Sequence, residues 1–382
     1  MLNPVILAVQ DTTTLNYTAH RPEGAGPINT SENSAVGLIL HDTMAFTTEG
    51  TPLGLLNVQC WGRDPEQPGK RERRHQLPIE EKESMKWLVS YRAVAEAQKL
   101  CTNTMLVSVG DREADIYDLF QEAVNNPEGP TLLIRAERTR HRKVEQEGLW
   151  QRMNTEPVAG LLDVVVPRRD SRPSRTATLE VRFAQVVLEP PGHSTFRPLS
   201  VWAVYAREVA FGLTVKEPID WMLLTTVATE SFDDACERMS WYARRWGIEV
   251  YHRTIKSGCR IEDRRLNDTD SLETCLAIDL VVAWRIYWLT MAGRERPDTP
   301  CDQMLSEDEW QVLSAWATGT MVDTVPSAQQ AARWIGKLGG WLPRGKQDNP
   351  GTTCMWRGLI RLPDMVQGYL LALHLHGIRA GP

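Results

Sequence analysis

The chain has 382 residues, of which 42% are hydrophobic and 24% are charged, a composition typical of a globular protein with two or three structural units. Its formal net charge of -6 argues against a protein that coats nucleic acid through a general excess of basic residues. The seven cysteines are scattered and show no metal-ligand spacing, which argues against a zinc site and indicates a reduced, cytoplasmic protein.

The sequence predicts neither export nor membrane insertion. The first residues lack a basic segment followed by a small-residue cleavage site, so we expect no secretion signal. The longest apolar stretch, residues 276–291, is interrupted by Asp279 and Arg285. This stretch therefore predicts a buried core helix and no membrane span.

In chain order, the first part of the sequence alternates strands and helices. Residues 5–9 form an unbroken apolar run, typical of a strand buried on both faces. A turn signal at 49–52 predicts that the strands on either side form a hairpin. The predicted elements that follow the first strand are strands 35–47 and 53–61, helix 80–100, strand 105–109, helix 116–124 and strand 131–136.

After residue 136 the sequence predicts a series of short strands, followed by a series of helices. Strands are predicted at 161–166, 176–183, 200–209 and 221–226, and helices at 232–256, 271–291, 307–318, 327–338 and 355–375. The pattern predicts an α/β protein with a mostly β insertion and a helical C-terminal region. The predicted units are a first core part (1–136), the insertion (137–226), a second core part (227–296) and the C-terminal region (297–382).

Two of the apolar strands lead directly into aspartates, Asp11 and Asp111. The carboxyl ends of strands in open α/β sheets are where ligands bind, so both residues are candidates for chemistry. The alternative for either residue alone is a turn cap, which is common for aspartate after a strand.

A third carboxylate, Glu249, lies in the helix predicted over 232–256. If that helix is continuous, Tyr242, Arg245, Glu249 and Lys256 share one face within about 60°. The alternative is a solvated charged face with i,i+4 ion pairs. Three carboxylates that meet at one point require divalent cations, because bare anions repel one another, and this is how proteins build two-metal sites for phosphoryl transfer.

The pattern of these residues resembles a known family. The matching elements are Gln10-Asp11-Thr12-Thr13, Asp111-Arg112-Glu113-Ala114-Asp115, the spaced Tyr242, Arg245, Glu249 and Lys256, Glu81-Lys82-Glu83-Ser84 with Lys86-Trp87-Leu88, and Leu338-Gly339-Gly340-Trp341. In this order, over essentially the whole chain, they resemble DDE transposases of the IS-four family, Tn-five type.

The resemblance implies an RNase H-like catalytic core and a C-terminal dimerisation region. It implies that Asp11, Asp111 and Glu249 bind two Mg²⁺ ions, with Mn²⁺ as a substitute, for cut-and-paste transposition through nicking, a DNA hairpin and strand transfer. The implied partners are transposon-end DNA, target DNA and a second copy of the chain. Tyr242, Arg245 and Lys256 match residues that hold DNA phosphates.

Two further positions match DNA contacts of that family. Trp221 matches an aromatic residue that stacks on a flipped base, and the alternative is a core tryptophan at a strand start. Arg135 matches a DNA-contacting arginine, and the alternative is an ordinary edge-strand residue. The basic stretches 135–143 and 168–175 also suit a DNA backbone, or else form solvated charged loops.

The sequence departs from the family pattern in two ways. Family members carry an N-terminal DNA-binding region before the first catalytic strand, which here begins at about residue 5. Gly247 lies inside the helix that carries Glu249, where glycine costs ~1 kcal/mol relative to alanine. We therefore expect a less rigid helix around Glu249.

Two rival functions follow from the same residues. A truncated transposase that keeps its C-terminal helices would act as a dimerising inhibitor and not as a catalyst. A haloacid-dehalogenase-type phosphohydrolase would use Asp11 as its nucleophile, but that chemistry generally requires an acidic residue where this chain has Thr13.

Overall fold

The computed structural model describes residues 3–29, 35–64, 77–166, 174–192, 194–209, 215, 217–345 and 348–376. The strands in these ranges are β1 (Val5–Asn16), β2 (Gly26–Pro27), β3 (Val36–Thr47), β4 (Pro52–Trp61), β5 (Met105–Gly110), β6 (Thr131–Arg135), β7 (Lys143–Val144), β8 (Glu147–Gly148), β9 (Gly160–Val166), β10 (Arg175–Leu188), β11 (Leu199–Val209) and β12 (Asp220–Thr225). The helices are α1 (Met85–Leu100), α2 (Tyr117–Val124), α3 (Leu149–Thr155), α4 (Phe232–Ala243), α5 (Trp246–Arg253), α6 (Thr269–Glu295), α7 (Glu307–Thr318), α8 (Ala328–Leu338) and α9 (Thr352–Leu375).

Five strands form the core sheet in the order β4-β3-β1-β5-β6. Strands β3 and β4 run antiparallel to their neighbours, whereas β5 and β6 lie parallel to β1. Leu7, Ala8 and Val9 are fully buried, as expected for a strand that is covered on both faces. The predicted fold class, α/β with a mostly β insertion and a helical C-terminal region, is confirmed, while the RNase H-like identity of the core stays a prediction.

Strand β1 is longer than the sequence predicts. Its parallel pairing with β5 ends at Val9, opposite Val109, but its antiparallel pairing with β3 continues to Asn16. On the side of β3, Asp11 is therefore still paired within the sheet. On the side of β5, it lies just beyond the end of the parallel pairing. This position leaves its side chain beside the end of β5, where Asp111 follows.

The insertion continues the core sheet. Strand β12 pairs antiparallel with β6, and β11 and β10 follow outward. Over the residues that the structure describes, the result is a 12-stranded sheet. The division of the chain into four units stays a prediction.

The helix predicted over 232–256 is broken. Helix α4 ends at Ala243, and α5 begins at Trp246 after a turn at Arg244 and Arg245. A π-helical turn, Thr254–Gly258, then follows α5. Tyr242 therefore does not share a continuous helix with Glu249 and Lys256, and the predicted single face is wrong in that respect.

The C-terminal helices pack around their own apolar core. Its buried members include Leu313, Trp334, Ile335, Met355 and Leu362. Among the described helices, α6 is long and apolar enough to cross a membrane by length and composition, and half of its most apolar window is buried. Its inner face carries Leu276, Leu280 and Ala283 into the main core, which is the packing of a core helix.

Candidate active site

An open cleft lies where β1 meets α5. It has a volume of about 380 Å³ and is lined by Asp11, Thr12, Thr13, Glu249, His252, Arg253, Lys256 and Ser257. The cleft therefore joins the predicted acidic residue of the first strand to the predicted acidic residue of the helix.

Arg245 links these two carboxylates. Its Nη1 donates to Asp11 Oδ2 at 3.3 Å, and its Nη2 donates to Glu249 Oε1 at 2.5 Å. Arg245 is the N-cap of α5, and its side chain reaches Glu249 one turn later in that helix. The guanidinium holds a positive charge where the two carboxylates converge.

Asp111 lies at the end of the neighbouring strand. Its Oδ1 accepts a hydrogen bond from the Glu113 amide at 2.8 Å, so it caps the short helical turn that follows, as the alternative interpretation predicts. Its charge nevertheless reaches Asp11. Burial, together with repulsion from Asp111, raises the pKa of Asp11 to about 6, although His252 and Arg245 act in the opposite direction.

The structure supports the predicted metal site only in part. In the described part of the chain, no group of three His, Cys, Asp or Glu residues is close enough to hold a metal ion. The donor chemistry fits Mg²⁺, because Asp11 and Glu249 offer carboxylate oxygens that already attract a cation, Arg245. The assignment of Asp11, Asp111 and Glu249 as catalytic metal ligands stays a prediction.

Sequence reasoning missed a buried polar pair beneath the cleft. The His252 Nε2 lies 2.7 Å from Asp42 Oδ1, and both side chains are buried. Asp42 is directly opposite Asp11 in the β1–β3 ladder. The signal in the sequence was His41-Asp42-Thr43, three polar residues inside an otherwise apolar strand.

Tyr242, Trp221 and Arg135 form a cluster beside the cleft. The Tyr242 ring is 4% exposed and meets Trp221 edge-to-face, with ring centroids 5.2 Å apart. Arg135 donates to the Asp220 carbonyl at 3.1 Å and also bonds the Tyr242 hydroxyl, whose pKa is raised by burial. The structure thus brings these three predicted residues together, but Tyr242 is buried and does not lie on an exposed strip.

Lys256 reaches the cleft from the π-helical turn. Burial lowers the pKa of its ammonium, while Glu262 opposes that shift. A π-helical turn shifts the direction of side chains relative to an α-helix, and such turns are frequent at functional sites. Lys256 lines the same cleft as Glu249, but it does so from a π-helical turn and not from the continuous α-helix that the sequence predicts.

The basic stretch 135–143 is largely occupied by internal partners. Arg142 and Asp115 form a buried ion pair at 2.8 Å, and Arg138 pairs with Asp220 at 3.0 Å. Residues 168–173 of the second basic stretch lie outside the described ranges, and Arg175 pairs with Glu208. Arg142 therefore fastens the insertion to the core, whereas the pairs of Arg138 and Arg175 lie within the insertion.

Comparison with known proteins identifies the C-terminal region. Over 96% of its length, the chain can be aligned with a piggyBac transposase, solved by cryo-EM as a synaptic complex with hairpin DNA, at a TM-score of 0.37 and 10% sequence identity. The chain covers 57% of that protein chain. Residues 281–375 match the family model of the transposase Tn5 dimerisation domain. The resemblance recognised in the sequence is therefore confirmed at the C-terminus, where the chain is similar to the dimerisation domain of the Tn5 transposase.

Proposed function

We propose that this protein is a DDE transposase that excises and reinserts its own insertion sequence by cutting and joining DNA strands in a metal-dependent reaction. The observation that carries the proposal is the cleft in which Asp11 and Glu249 converge on Arg245, with Asp111 at the adjacent strand end. The dimerisation domain at the C-terminus supports the same class of protein.

The chain's own residues supply two parts of the chemistry. Arg245, Arg253 and Lys256 line or border the cleft, and their charges would hold a scissile phosphate. Asp11, Asp111 and Glu249 would hold Mg²⁺, or Mn²⁺ in its place, and the ions would activate the attacking oxygen and stabilise the leaving one. The raised pKa of Asp11 supports this assignment, because a carboxylate that is buried, and that also lies near the like charge of Asp111, gains from a bound cation.

The aromatic cluster supports a role in holding a distorted DNA end. Trp221 is partly buried and packs against Tyr242, so its ring plane is held in place beside the cleft. A flipped base that stacks on this indole would leave the slack that a backbone hairpin requires. Arg135, held by Asp220, would contact the same DNA end.

The C-terminal helices support a dimer with a second copy of the chain. Helix α9 exposes Ile360, Leu371 and Leu375 by 50%, 59% and 73%, and these positions fall on one side of the helix within about 60°. Such an apolar stripe within a dimerisation domain is a natural contact surface. The rival function, a dimerising inhibitor without catalysis, would use the same surface.

The deciding experiment is cleavage of the element's end DNA in Mg²⁺ by the wild-type chain and by Asp11→Ala, Asp111→Ala and Glu249→Ala. Each substitution is expected to reduce strand cleavage below detection, while the chain still dimerises. The matched control is Asp233→Ala, an exposed carboxylate in the first turn of α4, which should cleave normally. Normal cleavage by any triad variant would overturn that assignment, and an inactive wild type that suppresses an active transposase would establish the inhibitor.

A further inference from the structure

Strand β3, which pairs with β1, carries polar side chains on both of its faces. Asp42 points toward α5, where it meets His252. Its neighbours His41 and Thr43 therefore point to the opposite face, toward α1. His41 lies directly opposite Thr12 in the β1–β3 ladder. The proposed chemistry uses the α5 face of the sheet and gives His41 no role.

The space between the sheet and α1 contains a buried polar layer. Gln10 Nε2 donates to Ser108 Oγ at 2.6 Å, and Ser90 on α1 takes part in two further hydrogen bonds. Buried polar groups cost free energy unless they are well bonded, and such departures from an apolar core are found mainly at functional sites. The polar members that are at most 1% exposed are Gln10, His41, Thr43, Ser90 and Ser108.

His41 is held firmly in this layer. Its ring is fully buried and packs edge-on against Trp87 of α1, with ring centroids 4.7 Å apart. Burial and the charge of Lys86 lower the pKa of His41, so the ring is neutral, with one donor and one acceptor nitrogen. Its Nδ1 lies 2.9 Å from Thr12 Oγ1. The Thr12 hydroxyl is therefore bonded to a side chain that cannot reorient without displacing Trp87.

Thr12 in turn holds the carboxylate of Asp11. The Thr12 amide donates to Asp11 Oδ1 at 2.8 Å, while Asp11 Oδ2 lies 3.3 Å from Arg245 Nη1. Because the hydroxyl and the amide belong to one residue, a fixed side chain restricts the backbone that presents the amide. Hydrogen bonds of this kind orient carboxylates that bind metal ions. A chain of contacts thus runs from His41 through Thr12 to Asp11.

We infer that His41 is a positioning residue of the cleft, which acts through the Thr12 hydroxyl to orient the Asp11 carboxylate for a divalent cation. The inference rests on the proposed function, because that function makes Asp11 a metal ligand. His41 is not among the described residues that line the cleft, so its effect reaches the metal only through Thr12.

The test is binding of Mn²⁺ to the full chain without DNA, measured by the electron paramagnetic resonance signal of the free ion. Thr12→Val replaces the hydroxyl by a methyl group of similar size and should raise the dissociation constant about tenfold, as should His41→Leu. If His41 acts through Thr12, the double variant should lose no more than either single variant. Thr12 is only partly buried, so Thr12→Val tests the inference even if His41→Leu fails to fold.

Conservative variants separate positioning from packing. Thr12→Ser keeps the hydroxyl, and His41→Asn keeps a polar atom at the position of Nδ1, so both should bind Mn²⁺ like the wild type. The matched control is Ser90→Ala, which removes a buried hydroxyl from the same layer but contacts neither Thr12 nor Asp11. It should leave Mn²⁺ binding unchanged.

A cleavage assay provides a second readout. In Thr12→Val, the Mg²⁺ concentration at half-maximal cleavage should rise about tenfold. The rate at saturating Mg²⁺ should stay close to that of the wild type, because Thr12 only orients a ligand.

Three outcomes would overturn the inference while Asp11→Ala still abolishes Mn²⁺ binding, which leaves the proposed function standing. These are wild-type binding by Thr12→Val, additive losses in the double variant, and an equal loss in Ser90→Ala. If Asp11→Ala binds Mn²⁺ as tightly as the wild type, Asp11 is not a metal ligand, and the proposed function fails together with the inference.

Discussion

The imidazole of His252 on α5 and the carboxylate of Asp42 on β3 form a buried pair 2.7 Å apart. The pair ties the helix that carries Glu249 to the strand that lies opposite Asp11. It therefore fixes the spacing between the two sides of the cleft. Burial alone would lower the pKa of His252, but the Asp42 charge and hydrogen bond raise it overall.

His252→Ala should destabilise the fold by about 3 kcal/mol, because it leaves a buried carboxylate without its partner. Urea unfolding of His252→Ala, Asp42→Asn and the double variant should show that the two effects are not additive. The exposed pair Arg260 and Asp263 provides the control, where removal should cost less than about 1 kcal/mol. Additive losses at His252 and Asp42 would contradict the coupling.

The same pair gives stability a pH dependence of known sign. Since the pKa of His252 is raised in the folded state, its contribution is fully present below the ordinary value of 6.5. That contribution is lost as the pH rises through the raised pKa. The free energy of unfolding of the wild type and of the double variant should be measured across pH 6 to 9, a range set about the ordinary histidine pKa. The difference between the two values should become smaller as the pH rises.

Asp11→Asn should stabilise the metal-free chain at neutral pH. The pKa of Asp11 is raised from 3.8 to about 6, so its ionisation destabilises the fold by on the order of 2 to 3 kcal/mol. The gain is expected above pH 6 and should vanish as the pH falls to 3.8. Thermal melts in EDTA would measure it, and a melting temperature that is lower than the wild-type value at pH 7 would contradict it.

Gly247→Ala should destabilise the protein, contrary to what helix propensity predicts. A Cβ there would lie 2.8 Å from the Phe46 ring and 3.0 Å from the Tyr287 hydroxyl, so overpacking of about 1 to 3 kcal/mol outweighs the helical gain of ~1. Glycine at this site allows α5 to approach the core closely and does not simply loosen it.

Gly368→Ala in α9 is the matched control, because its Cβ would meet nothing within 4 Å. It should raise stability by up to about 1 kcal/mol. A stabilised Gly247→Ala variant would show that Phe46 moves aside and that the close approach is not needed.

Trp221→Ala should slow hairpin formation by about tenfold and leave first-strand nicking within about twofold, because stacking contributes ~1–3 kcal/mol per base. Gel analysis of both steps on one end substrate separates them. Trp316→Ala, an exposed tryptophan on α7, should affect neither step. Equal slowing of both steps by Trp221→Ala would remove the stacking role.

Leu371→Glu should weaken self-association at least about tenfold, since ~1.4 kcal/mol of lost apolar contact suffices. Sedimentation velocity over a concentration series would measure the change. Leu100→Glu at the end of α1, which is 88% exposed, is the control. A dimer that is unaffected by Leu371→Glu would place the interface elsewhere.

The sequence predicted the strands and helices of the core well, because their apolar periodicity reports burial directly. It did not predict the continuation of β1 beyond Asp11. Thr12, Thr13 and Thr14 lack an apolar pattern, and they form a strand because β3 pairs with them. The partner strand is a tertiary feature that no local pattern records.

The sequence singled out Asp11, Glu249 and Lys256, which line one cleft, but it gave only part of the geometry, and the roles of these residues stay predictions. No proline or typical capping residue in the sequence marks the break between α4 and α5. Arg142 looked like a DNA contact because Asp115, the partner that buries it, lies 27 residues away. Long-range pairing of charges decides which arginines remain available for a ligand, and sequence spacing does not reveal it.

The pairing of β12 with β6 has a consequence for any attempt to shorten the protein. Without residues 137–226, β6 would become an edge strand of the core sheet, with unpaired amide and carbonyl groups along its free side. Such a flank invites other chains to add to it. A core without the insertion would therefore be expected to aggregate. The insertion protects the edge of the core sheet.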